Sequence, residues 1–79
     1  MTNTNLKVAG QRIRKIRIDN GLTMEQFIEV IDHKKGKHRS GTVNNWEQGK
    51  NLPNKRRLKE IADLGSVSVM YLLGGELND

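Results

Sequence analysis

Ser40-Gly41-Thr42-Val43-Asn44-Asn45-Trp46-Glu47-Gln48-Gly49 is the stretch on which the fold turns. Val43 and Trp46 lie three apart, which gives a short helix one inward side and leaves polar residues on the other. Ser40 reads as the N-cap, since its hydroxyl can accept a free backbone N–H, and Gly49 as the terminator, so the spacing predicts a helix over 41–48. Upstream, Phe27, Ile28 and Ile31 make one face of a helix over 24–32, opened by Thr23 and Gln26 in capping-box spacing. Before that, Ala9, Ile13, Ile16 and, less regularly, Ile18 recur at helical spacing over 7–20, with Gly21 as a left-handed terminator. Downstream, Pro53 biases Leu52 away from helix and pre-sets a helix over 55–64 that packs through Leu58, Ile61 and Ala62 and is broken by Gly65 and Ser66. Ser68 caps a last short helix over 69–73, which Gly74-Gly75 ends. The only strand-like alternation is Val67-Ser68-Val69, so the expectation is an all-α domain of five helices, which excludes doubly wound nucleotide-binding folds.

The chain has 79 residues, no cysteine, and 14 Lys plus Arg against 9 Asp plus Glu, a net charge of +5. That is one small domain over 1–79, near the lower limit for a self-supporting hydrophobic core, which excludes a multidomain enzyme. Without cysteine there is neither a disulfide framework nor a thiolate metal site, in keeping with a reducing compartment. Charge is unevenly placed: ten bases face five acids through residue 50, and four face four beyond it. The densest run is His33-Lys34-Lys35-Gly36-Lys37-His38-Arg39, with no acid in it, which points to a polyanionic partner. No apolar run approaches the roughly 18 residues of a membrane span, and the first residues lack a signal peptide's basic and apolar regions. The expectation is a soluble, cytoplasmic protein that does not engage membranes.

Catalytic and cofactor signals are weak. Gly36-x-x-x-x-Gly41-Thr42 has phosphate-loop spacing but lacks the lysine after the second glycine and the preceding strand. His33 and His38 have no further ligands beyond Asp32 for a metal. No Ser, His and acid are arranged for nucleophilic catalysis. Met24, Met70 and Trp46 read as core or rim. Neither enzymatic activity nor a metal or cofactor is expected.

The string Ile13-Arg14-x-x-Arg17, Gly21-Leu22-Thr23-x-Glu25-x-Phe27, Val43-x-x-Trp46-Glu47-x-Gly49, Pro53, Leu58-x-x-Ile61-Ala62 and Val67-Ser68-x-x-Tyr71-Leu72-Leu73-x-Gly75 resembles the helix-turn-helix domain of lambda-type phage repressors and Cro proteins, the XRE-like transcriptional regulators. The resemblance covers residues 8–75. It implies a five-helix lambda repressor-like domain whose second and third helices form the helix-turn-helix, with the third in the major groove of operator DNA. The connection between those helices is about five residues longer than the family's short turn. Two other departures stand out: Met24 replaces a glutamine that in relatives bonds a phosphate, and Gly41 offers no side chain where relatives read bases.

Carried onto this chain, the base-contacting set is Arg39, Ser40, Gly41, Thr42, Asn44 and Asn45, with Asn45 the best single reader because an amide can pair in bidentate fashion with adenine. Phosphate contacts are expected from the start of the second helix at Thr23, from Lys34, Lys35 and Lys37 in the basic turn, from Lys50, and from Lys55 and Arg56. The resemblance makes Arg17 and Glu47 an internal ion pair. A homodimer is expected through Val67, Val69, Met70, Leu73 and Leu77, more apolar residues than a short helix needs, unless they complete the monomer core. The alternative function is a protein-binding module on the same fold, such as an antirepressor or antitoxin, whose partner is a protein.

Overall fold

Four of the helices begin where a short polar side chain takes up a free backbone N–H, and the computed structural model of the chain describes residues 5–36 and 40–75, with only the backbone of Ser40. Asn5 accepts from the Val8 N–H at 3.1 Å and opens α1 (Leu6–Asp19). Thr23 and Gln26 form the expected reciprocal capping box at the start of α2 (Met24–Asp32), with contacts of 2.9 and 3.1 Å. Asn54, just past Pro53, accepts from the Arg57 N–H at 2.8 Å and opens α4 (Lys55–Gly65). Ser68 does the same for Tyr71 at 3.0 Å in α5 (Val69–Leu72). Between them lies α3 (Ser40–Glu47). All five elements among the described residues are α-helices, so the chain is all-α.

Several boundaries differ from expectation for physical reasons. Ser40 already has helical backbone and does not cap α3, because the helix starts one residue earlier than its apolar spacing suggests. At its other end α3 stops at Glu47, where the left-handed Gly49 (φ 78°) lets the Lys50 N–H bond the Asn45 carbonyl at 2.9 Å. Gly65 does not break α4. A Cβ there would stand 2.5 Å from Ile16 Cδ1, so the glycine stays helical to admit α1, and Ser66 makes the left-handed turn (φ 55°) instead. α5 ends at Leu72, one residue short of the expected Leu73.

The core gathers Ile13, Ile16, Phe27, Ile28, Ile31, Val43, Trp46, Leu58, Ile61, Ala62 and Leu72. Ile18 is not part of it. Two positions beyond Ile16, it is rotated off the inward stripe of α1 and is 49% exposed. α1 lies against α3, α4 and α5, and α2 against α3 and α4, so α1 and α4 together cradle the α2–α3 pair. Among the described residues no helix is long and apolar enough to cross a membrane.

Candidate nucleic-acid interface

The site is built outward from the crossing of α1 and α3. Gly10 sits on the inner side of α1, and a Cβ there would run into the carbonyl oxygens of Trp46 and, at 2.7 Å, Glu47. The missing side chain lets the two backbones touch. Two turns beyond the crossing, Arg17 Nε bonds Glu47 Oε2 at 2.6 Å, Nη2 reaches Oε1 at 3.1 Å, and Nη1 bonds the Leu22 carbonyl at 2.9 Å. Both partners are nearly sealed from water, the Arg17 side chain 10% and Glu47 4% exposed. Arg17 and Glu47 therefore form the internal pair that the resemblance implied, and Arg14 Nε stands 3.9 Å from the same carboxylate.

With Val43 and Trp46 turned inward and buried, helical periodicity sends Gly41, Asn44, Asn45 and Gln48 to the opposite side. Gly41 and Gln48 are exposed, Asn44 and Asn45 half-buried, and Thr42 half-buried at the flank. Gln48 Nε2 donates to Asn44 Oδ1 at 3.2 Å, one turn away. Gln48 is not among the base-contacting positions carried over from the resemblance; its i+4 relation to Asn44 is the signal that the sequence offers for it. This side of α3 carries amides and no charge among its described side chains.

The candidate phosphate-binding residues are placed less uniformly. Thr23 stands exposed at the start of α2, but its N–H donates to Gln26 Oε1, so it offers a hydroxyl rather than its amide. Glu25, exposed in the same first turn, adds a negative charge where a phosphate would approach. Lys34 is exposed, and among the described residues Lys35, Lys50 and Lys55 are exposed without an ion pair. Lys7, which the motif did not mark, joins Lys50 at the end of α3, since a Cβ on Gly49 would lie 3.2 Å from Lys7 Cα.

Arg56 is already engaged. Its guanidinium bonds the Ile31 carbonyl at 3.2 Å and pairs with Asp32, although its side chain remains 54% exposed. Arg57 grips the same carboxylate twice, Nε to Oδ1 at 3.1 Å and Nη2 to Oδ2 at 2.9 Å. Arg57, and then Arg56, hold the Asp32 carboxyl at about 2, below its ordinary 3.8, against the upward push of partial burial. The reciprocal effect raises Arg57. Beside them His33, in left-handed backbone (φ 54°), meets Glu60 at 3.0 Å.

Of the residues expected at a dimer interface, Val67, Val69 and Leu73 are half-buried against the core, while Met70 is 62% exposed. Arg39, Lys37 and Leu77, together with the Ser40 side chain, lie outside the described residues. Compared with protein-family models, with curated proteins and with solved structures, the chain matches none of them.

Proposed function

We propose that the chain is a sequence-specific DNA-binding transcriptional regulator of the phage repressor and Cro type, with α2 and α3 as a helix-turn-helix and α3 entering the major groove of operator DNA as one half of a homodimer. The observation that carries this reading is the division of α3. Its inner side is locked through Gly10 and Arg17–Glu47, and its outer side is a row of amides at Asn44, Asn45 and Gln48. Amides held on a fixed helix are suited to reading base edges. The exposed lysines Lys35, Lys50 and Lys55 supply the sequence-independent attraction to phosphate.

Selection from a random duplex library tests the reading, with affinity for the winning and a scrambled duplex followed against salt. A winner at least about a thousandfold tighter than the scrambled duplex supports it. Asn45→Ala should then weaken the winner by about 1 to 3 kcal/mol and relax preference at one base pair. Equal, weak and salt-erased binding to every duplex would refute it. A protein-binding role is the second reading, favoured by the exposed Met70 and by Val30, which is 42% exposed on α2.

A further inference from the structure

A helix-turn-helix is ordinarily held at its angle by a turn of about three or four residues. In this chain seven residues, 33–39, lie between α2 and α3 in sequence, about twice that number. Contacts outside the connection then share in setting the angle, together with the packing of α2 on α3. At the start of α2 one such contact is Arg17, which bonds the Leu22 carbonyl and the Glu47 carboxylate and so ties the entry of α2 to the end of α3. A helix pinned at one end can still pivot.

We propose that Arg57, gripped by Asp32, is the second pin, a positioning residue that fixes α3 relative to α2 in place of a short turn. Its guanidinium is bonded twice to Asp32, the last residue of α2, and the same group lies over the Trp46 ring of α3 with 5.6 Å from Cζ to the ring centroid. Its backbone is fixed in turn, because its N–H is held by the Asn54 cap at 2.8 Å. The two pins thus act on adjacent residues of α3, Glu47 from the α1 side and Trp46 from the α4 side. Arg56 adds a bond to the Ile31 carbonyl that braces the end of α2. Only arginine suits the place. A planar fork can bind both carboxylate oxygens and present a cationic face to an indole, whereas a lysine ammonium is a single point charge.

The inference rests on the DNA-binding reading only for its functional readout. The test is Arg57→Lys in the full chain, which leaves net charge unchanged. The expected result is retained helix content by far-UV circular dichroism, affinity for a scrambled duplex within about twofold, and affinity for the selected duplex down about tenfold. The near-UV signal of Trp46, the single tryptophan, should change as well. Equal losses on both duplexes, or none on either with an unchanged Trp46 signal, would overturn the proposal. If Arg57→Lys does not fold, Asp32→Asn carries the same circular dichroism and Trp46 readouts. If the unmodified chain selects no sequence, the DNA reading fails, and residual dipolar couplings decide this inference alone. An α2–α3 angle altered in the variant supports it, and an unaltered angle refutes it.

Discussion

The α1–α3 crossing and the α2–α4 seam use the same chemistry, arginine on carboxylate, at different depths. At the crossing, Arg17 and Glu47 are nearly dry and two backbones touch through Gly10. At the seam, Asp32 is 12% exposed beside Arg57 at 27% and Arg56 at 54%, so water reaches one side of the cluster. Depth decides what such a contact does. A dry pair cannot lose one member without stranding a charge, so it behaves as part of the core. A wet cluster is screened and can be retuned, so it can adjust an angle without deciding whether the domain folds.

The largest effect is expected at Gly10. Alanine in a helix interior is ordinarily better than glycine by about 1 kcal/mol, and here the sign should reverse. The added Cβ would run into two carbonyl oxygens that belong to backbone and cannot rotate away. Gly10→Ala should cost about 3 kcal/mol or more, a large share of the roughly 5 kcal/mol at which small domains sit. Gly65→Ala sharpens the point, because it meets the Ile16 side chain instead. Its cost should be nearer 1 kcal/mol, since a side chain can repack and the helix gains propensity. Urea unfolding of both variants measures this, and a Gly10→Ala protein as stable as the parent would mean that the backbones do not touch.

Next in size is Glu47→Gln, which leaves Arg17 buried and unmatched. A loss of about 2 to 3 kcal/mol is expected in the same unfolding experiment. Replacing Arg17 and Glu47 together by methionine should recover part of it, since two apolar groups strand no charge. If the double variant is no better than Glu47→Gln, the loss comes from packing geometry and not from the uncompensated guanidinium.

These contacts differ in how far the sequence announces them. The core was legible because Ile13, Phe27, Ile31, Val43 and Trp46 repeat at the helical period, and caps at Thr23 and Ser68 follow from local chemistry. Arg17–Glu47 was legible only through resemblance, as its members are 30 positions apart. Gly10 carried no signal, because a glycine within a helical pattern looks like a weak helix former and its reason lies in a distant backbone. Gly65 was misread for the complementary reason: the same residue type serves as terminator and as packing gap. Lys55 and Arg56 read as phosphate contacts because local charge cannot reveal that Asp32 folds back onto Arg56 and its neighbour Arg57. On α3 the amides were visible in the sequence, but the bond between Asn44 and Gln48 needed the side chains in place.

A smaller stability change than at the crossing belongs to the seam, and it carries its own pH signature. Asp32 is held at about 2, below its ordinary 3.8. A carboxyl lowered by folding contributes stability that is fully present above its ordinary value and disappears as pH falls through its folded value. Asp32→Asn should therefore cost on the order of 1 to 2 kcal/mol near neutral pH, and the gap to the parent should close between about pH 4 and pH 2. Added salt should shrink the same gap, since the Arg56 side of the cluster is open to solvent. Denaturant unfolding of parent and variant across that range measures it. A deficit that stays constant down to pH 2 would show that Asp32 acts through shape alone, and would remove the electrostatic difference between the seam and the crossing.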